Sequence, residues 1–311
     1  MFDLKLLGEI YRKNENLIEY MRSQSKTEAN TAEQIMISYD FQAGTYTKDF
    51  YQAPESRIQT AKWIADIISA KKISGSIMEA GVGEATMLVT LTKELEERCS
   101  CHFNSVYGFD ISWSRIKAAQ KFAKENGQNQ INLFTGDLLN IPIRNNAFDL
   151  VYTMHAVEPN GGKEKEILQE LYRICKRYLI LIEPCYEFAG EKARERMKKH
   201  GYVTNLYQSA AELGFNIEKY ELFHSSPEGR NPSGIMIIRK DLDHSDETNL
   251  ICPFACPISK KEMERYEDSS GGASYYCAES MLAYPVIQNI PCLLPENAVV
   301  ATKYFNNFDE D

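Results

Sequence analysis

The sequence predicts an α/β protein built on a mostly parallel, seven-stranded sheet with helices on both faces. Between residues 75 and 240, short apolar runs typical of buried strands alternate with amphipathic helical patterns. Strands that are connected through helices run parallel and are covered on both faces. The last two runs, 217–224 and 233–240, follow each other without a helix, so we expect them to close the sheet as a pair.

The chain divides into four predicted segments. Residues 1–70 are expected to be helical, because stretches such as 55–70 repeat apolar residues at helical spacing. Residues 71–240 hold the alternating strands and helices. Residues 241–248 are polar and charged, as expected of a linker, and residues 249–311 contain short apolar runs, four cysteines and an acidic tail.

Composition and charge limit the kinds of substrate that we expect for this protein. Hydrophobic residues make up 43% of the 311 residues and charged residues 25%, which is ordinary for a globular protein. From Asp241 onward there are 13 acidic and four basic residues, and this imbalance equals the net charge of −9. The neutral remainder has no general attraction for a phosphate backbone, which disfavours nucleic acid as a substrate. A local basic groove at 192–200 is left open as an alternative.

The N-terminal residues and the apolar runs bear on localisation. No run approaches the length of a membrane-spanning helix. The first 20 residues carry charges throughout, which indicates an amphipathic helix and not a signal peptide. We therefore expect a cytoplasmic protein without a membrane partner; the sequence does not specify an oligomeric state.

Small and acidic residues follow the first two predicted strands. In "EAGVGEA", Gly81 and Gly83 let the backbone approach a ligand, and the next helix directs free N–H groups to the same place. Asp110 ends the second strand, where a carboxylate can accept both hydroxyls of a ribose. Glu79 precedes the glycines and can attract an ammonium group. The G-x-G spacing lacks the third glycine of a dinucleotide fingerprint.

The third strand completes the predicted ligand site. Asp137 ends this strand, and the apolar Leu138 that follows can lie against a purine face. Recognition of a ribose, a purine and an ammonium group, with no pyrophosphate contact, describes S-adenosylmethionine better than a nicotinamide dinucleotide. The residues therefore favour S-adenosylmethionine as the cofactor.

Residues 76–185 resemble the class I S-adenosylmethionine-dependent methyltransferases. The resemblance is carried by "EAGVGEA", "YGFD" and "GDLLNIPIRNNAFDLVYT", in the family's order and spacing. It implies a Rossmann-like fold with an N-terminal helical cap. It also implies a methionine site near Gly81 and Gly83, a ribose at Asp110, and an adenine near Ile111, Asp137 and Leu138. The sequence departs from the family at Val82 and Glu84, and we expect the carboxylate of Glu84 not to disturb a cationic ligand.

The end of the fourth strand, "YTMHAVEPNGG", supplies the candidate catalytic residues. His155 titrates near neutral pH and can act as a general base. Its alternative role is to pack over the cofactor. Glu158 can bind a substrate, or can cap the helix that follows. Tyr39 and Tyr46 belong to the segment that resembles the family's cap, where aromatic rings can exclude water and contact the acceptor; helix packing is their alternative role.

Four cysteines cluster near the end of the chain. Cys252, Cys256, Cys277 and Cys292 fall within 41 residues, and four thiolates in a small module suit tetrahedral zinc. The spacing departs from paired C-x2-C motifs, because Ser280 stands where a partner of Cys277 is expected. Buried thiols without a metal are the alternative.

Residues 249–302 resemble a small zinc-ribbon-like family. This family includes the activating subunit of methyltransferases that modify tRNA, rRNA and release factors. The specific part of the resemblance is the ending "YPVIQNIPCLLPENA". It implies a small α+β module that stabilises the methyltransferase domain or closes its substrate groove; a stabilising appendage without a role in recognition is the alternative.

Three function hypotheses follow. The first is methyl transfer to an oxygen or nitrogen atom of a small molecule, such as a sugar or a nucleotide-sugar. The second is methylation of tRNA, rRNA or a translation protein, which the module's relatives suggest. The absence of an (N/D)-P-P-(Y/F) motif after the fourth strand favours the first. The third is a cofactor-binding regulator without catalysis.

Overall fold

The computed structural model describes residues 2–27, 29–98, 102–223, 231–240, 252–267 and 271–305. The predicted linker, 241–248, lies outside the described residues. None of the helices in the described ranges combines the length and the hydrophobicity needed to cross a membrane.

A seven-stranded sheet forms the centre of the molecule and confirms the predicted mostly parallel sheet with helices on both faces. The strand order is β3-β2-β1-β4-β5-β7-β6. Strands β1 to β5 are parallel, and β7 runs antiparallel to both of its neighbours. The bounds are β1 Gly75–Ala80, β2 Phe103–Asp110, β3 Asn132–Thr135, β4 Phe148–Met154, β5 Cys175–Pro184, β6 Asn216–Leu222 and β7 Ser233–Arg239.

Five helices occupy the first 70 residues, as their apolar spacing predicts, and five more connect or flank the strands. Helix α3 begins with a capping box, in which the Thr31 and Gln34 side chains each accept a hydrogen bond from the other's backbone N–H. The bounds are α1 Leu4–Arg12, α2 Leu17–Ser25, α3 Ala32–Phe41, α4 Thr45–Gln52, α5 Glu55–Ala70, α6 Thr86–Arg98, α7 Trp113–Glu125, α8 Glu164–Ile174, α9 Glu191–His200 and α10 Leu206–Glu212.

Alternate residues of the central strands fill two buried layers. Ile77 and Leu150 belong to a cluster with α5, α6 and α7 on one face. Their neighbours Met78 and Val151 belong to a cluster with α8 and α10 on the other face. Because successive side chains of a strand point to opposite faces, this alternation buries the sheet on both sides.

The C-terminal residues form a small antiparallel sheet with the order β11-β10-β9-β8, and β12 pairs with β10. The regular elements within 252–267 and 271–305 are strands and one 3-10 helix, so the predicted α+β character is wrong for these residues. The bounds are β8 Glu264–Glu267, β9 Ala273–Cys277, β10 Leu282–Ile287, β11 Ile290–Pro291, the 3-10 helix Pro295–Asn297 and β12 Val299–Val300.

This C-terminal module packs against the outer strand of the large sheet. The backbone N–H of Leu293 donates to the carbonyl oxygen of Thr135 at 3.2 Å and to its hydroxyl at 3.1 Å. The N–H of Ala255 donates to the carbonyl oxygen of Pro142 at 3.0 Å. Phe254 is buried in the same apolar cluster as the α8 face of the large sheet. The module and the large sheet therefore share one core.

Candidate functional site

A cavity of about 730 Å³ opens at the edge where β1, β2 and β4 end, here called the carboxyl edge. The parallel register sets Ala80 beside Phe109 and Thr153, which brings the three strand ends together. Residues of α3, α4 and α5 also line it. Ligands of open parallel sheets bind at this edge.

The glycine turn after β1 brings bare backbone to the cavity. Gly81 and Gly83 both line it and have φ of +74° and +55°. A Cβ on Gly81 would collide with the Cβ of Ala156. The N–H of Gly83 donates to the Asp110 carboxylate at 3.0 Å. The positive φ and the lack of space for a Cβ therefore both require glycine at position 81.

Asp110 is held at the end of β2 with both of its carboxylate oxygens engaged. One oxygen accepts from Gly83, and the other accepts from the N–H of Ser112 at 2.9 Å. The residue is only 8% exposed and lines the cavity. Burial raises the pKa of Asp110, and the nearby Arg115 opposes this shift. Each oxygen keeps lone-pair capacity for a further donor.

Glu79 lies deeper at the same edge. Its side chain is 2% exposed, lines the cavity and accepts a hydrogen bond from the Tyr152 hydroxyl at 2.8 Å. Burial raises the pKa of Glu79 to about 8, although the Tyr152 bond and the charge of Arg57 act in the opposite direction. A cationic group of a ligand would favour the ionised carboxylate here.

The predicted adenine residues Ile111, Asp137 and Leu138 all line the cavity. The Asp137 carboxylate accepts from the N–H of Leu139 at 3.0 Å, which fixes the turn after β3. Burial raises the pKa of Asp137. The structure thus brings all seven predicted cofactor positions of β1, β2 and β3 to one cavity.

His155 and Glu158 line the cavity beyond the end of β4. Nδ1 of His155 lies 3.2 Å from Oε2 of Glu158, and Nε2 lies 3.0 Å from the hydroxyl of Ser233. Burial acts to lower the pKa of His155, but the hydrogen bond and charge of Glu158 outweigh it and raise the pKa. The helix-capping alternative for Glu158 is wrong, because α8 begins at Glu164 without a side-chain cap.

The turn that carries His155 is strained and tightly held. His155 has a φ of +55°, which is uncommon for a residue other than glycine. The buried Glu183 accepts from the N–H groups of Ala156 at 3.0 Å and Glu158 at 3.1 Å. Strained backbone persists where surrounding bonds over-determine it, and this is frequent at functional sites.

Tyr39 and Tyr46 of the cap line the cavity, but they also hold a side chain that the sequence analysis missed. The guanidinium of Arg115 lies 4.5 Å from the ring centroid of Tyr39 and 4.4 Å from that of Tyr46. Its Nε also donates to the carbonyl oxygen of Tyr39 at 3.1 Å. These cation–π contacts attach the cap to α7 directly beside Gly83.

Glu84 attaches the cap from the other side. Its buried carboxylate accepts from the N–H groups of Gly44 at 2.9 Å, Tyr46 at 3.2 Å and Thr47 at 2.7 Å, at the N-terminus of α4. It is not among the residues that line the cavity. The departure from the family pattern at Glu84 therefore serves the cap.

The predicted zinc ligands Cys252, Cys256, Cys277 and Cys292 are not brought together as a set of four. Among the described residues, no group of three or more His, Cys, Asp or Glu side chains is arranged to hold a metal ion. Cys292 pairs with Thr135 at the outer strand of the large sheet, and its thiol donates to the carbonyl oxygen of Ile290 at 3.5 Å. The prediction of a four-thiolate site is wrong, because Cys292 lies in the segment that pairs with the outer strand β3.

Comparisons of sequence found relatives for parts of the chain. The profile of a family described as "Methyltransferase domain" matches residues 77–178. Norajmaline N-methyltransferase from Rauvolfia serpentina is 29% identical over 100 residues, which are 32% of this chain and 32% of that protein. The chain thus spans about a third of the length of this relative. A UPF0434 protein from Pseudoalteromonas atlantica is 44% identical over 54 residues, which are 17% of this chain and 81% of that protein.

Solved structures resemble part of the chain. A putative sarcosine dimethylglycine methyltransferase from Galdieria sulphuraria has a TM-score of 0.47 at 16% identity, over 58% of this chain and 85% of that one. A putative S-adenosylmethionine-dependent methyltransferase from Methanococcus maripaludis has a TM-score of 0.47 at 20% identity, over 66% of this chain and 96% of that one. Residues 77–178 match the profile of a methyltransferase domain, and the strand order and the glycine turn of this chain agree with that match.

Proposed function

We propose that this chain, which belongs to the UPF0434 family over a 54-residue segment, is a methyltransferase that modifies a nitrogen or oxygen atom of a small molecule. The observation that carries the proposal is the covered cavity at the carboxyl edge. Two positive-φ glycines and the buried Asp110 lie in the same cavity as His155 and Glu158.

The residues of the cavity fit S-adenosylmethionine. Asp110 would hold the ribose hydroxyls, and Gly81 and Gly83 would admit the methionine moiety, with Glu79 near its ammonium group. The positions for the adenine are Ile111, Asp137 and Leu138. When bound, this cofactor supplies an activated methyl group.

The remaining cavity residues would position the acceptor and accept its proton. Tyr39 and Tyr46 cover the cavity and limit its access to water. Correct positioning of two reactants can contribute about 7–11 kcal/mol. His155, supported by Glu158, can take a proton from a hydroxyl or an amine, and such a base contributes about 10²–10⁴-fold in rate.

Two features support a small acceptor. The cavity lies within the range of small-molecule sites, roughly 300–1,000 Å³, and the cap covers it. The names of two similar proteins, norajmaline and ajmaline N-methyltransferase, specify a nitrogen acceptor in a small molecule. The hydroxyl of a sugar or a nucleotide-sugar is also a suitable acceptor, because His155 can take its proton.

The C-terminal module supports a second candidate. We assign the 54-residue match to 249–302, a span of the same length, and we propose that the module stabilises the methyltransferase domain through β3. Its resemblance to activating subunits would also suit tRNA, rRNA or a translation protein as the acceptor. A regulator that binds the cofactor without turnover is the third candidate.

Methyl-labelled S-adenosylmethionine distinguishes these candidates. The chain is incubated with the labelled cofactor and a cell extract that has been separated into small-molecule, RNA and protein fractions. We expect the label to appear in the small-molecule fraction with the unmodified chain. With the Asp110→Ala variant, this label should be absent. Asp149→Ala is the matched control, since Asp149 accepts two hydrogen bonds from Ser76 at the opposite end of the sheet. Label only in RNA or protein would support the second candidate, and binding without any label the third.

A further inference from the structure

Ser233 is a cavity residue that the sequence analysis missed. It begins β7 and pairs with Pro184 at the end of β5, which places it at the carboxyl edge although its strand runs antiparallel. The residue is only 4% exposed and lines the cavity. Its hydroxyl is 3.0 Å from Nε2 of His155.

Glu158, His155 and Ser233 form a continuous hydrogen-bonded series. Glu158 contacts Nδ1 of the imidazole and Ser233 contacts Nε2, so both ring nitrogens are engaged. With Nδ1 protonated toward the carboxylate, Nε2 accepts from the serine hydroxyl. A hydroxyl can accept hydrogen bonds as well as donate one, so Ser233 could also accept from a donor inside the cavity.

We propose that Ser233 relays the proton of the methyl acceptor to His155; this inference rests on the proposed function. The O–H of a hydroxyl acceptor, or the N–H of a protonated amine, gives its proton to the Ser233 oxygen, while the serine proton passes to Nε2 of His155. The freed lone pair forms the new bond to the methyl carbon, and the sulfur keeps the electron pair of the broken S–C bond. Glu158 stabilises the imidazolium, which later loses its proton to water.

The relay defines the acceptor class. The acceptor must carry a dissociable proton on the attacking atom, as a hydroxyl or a primary or secondary amine does. A neutral tertiary amine or a thioether carries no such proton and would gain nothing from Ser233.

The test compares Ser233→Ala with Ser233→Thr, which keeps a hydroxyl. The probe is the label transferred to the small-molecule fraction of cell extract, measured as an initial rate across pH. We expect Ser233→Ala to lower the rate about 10²-fold or more, with S-adenosylmethionine affinity changed less than twofold, and Ser233→Thr to restore much of it. Ser209→Ala, a buried serine of α10, should keep the rate.

Each outcome decides the relay. An unchanged rate in Ser233→Ala overturns it, and so does a loss of rate matched by a loss of cofactor affinity, which would indicate a structural role. If the unmodified chain transfers no label to any fraction, the proposed function fails and the relay fails with it. Nitrogen NMR of His155 should show Nε2 as the acceptor in the unmodified chain and a changed Nε2 signal in Ser233→Ala.

A separate observation concerns two C-x2-S turns in the C-terminal module. The Cys256 thiol accepts from the N–H of Ser259 at 3.4 Å, and the Ser280 hydroxyl donates to it at 3.6 Å. The Ser259 hydroxyl lies 3.7 Å from the thiol of Cys277. The two turns thus bring together two thiols and two hydroxyls, and the Tyr284 hydroxyl lies 3.3 Å from Cys256.

The spacing between these atoms is that of a metal site, but the donors are not. In a tetrahedral zinc site with Zn–S bonds near 2.3 Å, neighbouring sulfurs lie about 3.8 Å apart, and two C-x2-C turns supply them. Here Ser259 and Ser280 occupy the second position of each turn. Zinc takes thiolate, imidazole and carboxylate ligands, so neutral hydroxyls do not complete the set.

We infer that this cluster is a ribbon core held by thiol–hydroxyl hydrogen bonds in place of an ion. The double variant Ser259→Cys/Ser280→Cys should therefore gain about one zinc per chain by elemental analysis, and a chelator should lower its melting temperature. The unmodified chain, purified with zinc present, should hold less than about a tenth of an equivalent and should melt independently of chelator.

Zinc at about one per unmodified chain would overturn this inference, and a folded double variant that binds no zinc would do the same. If the double variant does not fold, the zinc content of the unmodified chain still shows whether the cluster binds a metal ion. Ser259→Ala/Ser280→Ala is the control: it should lower stability through lost hydrogen bonds without creating sensitivity to chelator.

Discussion

The carboxyl edge and the cysteine turns both concentrate polar groups, but they use them differently. At the edge, Asp110, Glu79 and bare backbone face a cavity of about 730 Å³. In the module, Cys256 and Cys277 bond to hydroxyls of the same cluster. Buried polar groups that line open volume are organised to bind a ligand, whereas groups that satisfy one another stabilise their own fold.

The first prediction tests the glycine turn at the carboxyl edge. Gly81→Val places a β-branched side chain at a φ of +74° and against Ala156, so cofactor affinity should fall at least about 100-fold in calorimetry. Gly127→Val is the control. Gly127 has a similar φ of +77° but no atom within 4 Å of its position for a Cβ, so the variant should lose stability and keep its affinity. Equal loss in both variants would contradict a local role for Gly81.

The second prediction tests how far the two regions are independent. Phe254 contacts the rings of Tyr107, Phe134 and Tyr275, so Phe254→Ala should cost about 3–5 kcal/mol. Because the module and the large sheet share this core, calorimetric unfolding should stay a single transition at lower temperature. Two separated transitions would show that the module folds on its own.

The third prediction sharpens the role of Asp110. Asp110→Asn keeps the shape of the side chain but removes its charge-assisted bonds, so cofactor affinity should fall about 10–100-fold. Asp149→Asn should leave it unchanged, since Asp149 bonds to Ser76 at the other end of the sheet. An affinity change of less than threefold in Asp110→Asn would contradict ribose binding at this residue.

The fourth prediction concerns Glu79 and pH. Its pKa is about 8 in the folded chain and 4.5 ordinarily, so its contribution to stability is fully present below pH 4.5 and is lost as pH rises through 8. Glu79→Gln should therefore flatten the fall in stability between pH 5 and 8, which these two pKa values set at roughly 3–4 kcal/mol, as measured by urea unfolding. Glu94→Gln, another buried carboxyl that pairs with Arg98, should retain the slope.

The sequence predicts those parts of the site that depend on neighbouring residues. Gly81 and Asp110 could be placed because a strand end fixes where the next few residues lie. Ser233 could not, because its position depends on the antiparallel pairing of β7 with β5. Arg115 depends on how the cap docks. Cys292 was misassigned because spacing alone does not reveal that its segment pairs with β3.

A crystal structure of the full chain with S-adenosylhomocysteine tests the central claim most directly. We predict one ligand per chain at the carboxyl edge, with its ribose hydroxyls within hydrogen-bond distance of the Asp110 carboxylate and its amino-acid end beside Gly81. A ligand bound elsewhere, or a cavity that stays empty at saturating ligand, would contradict the account.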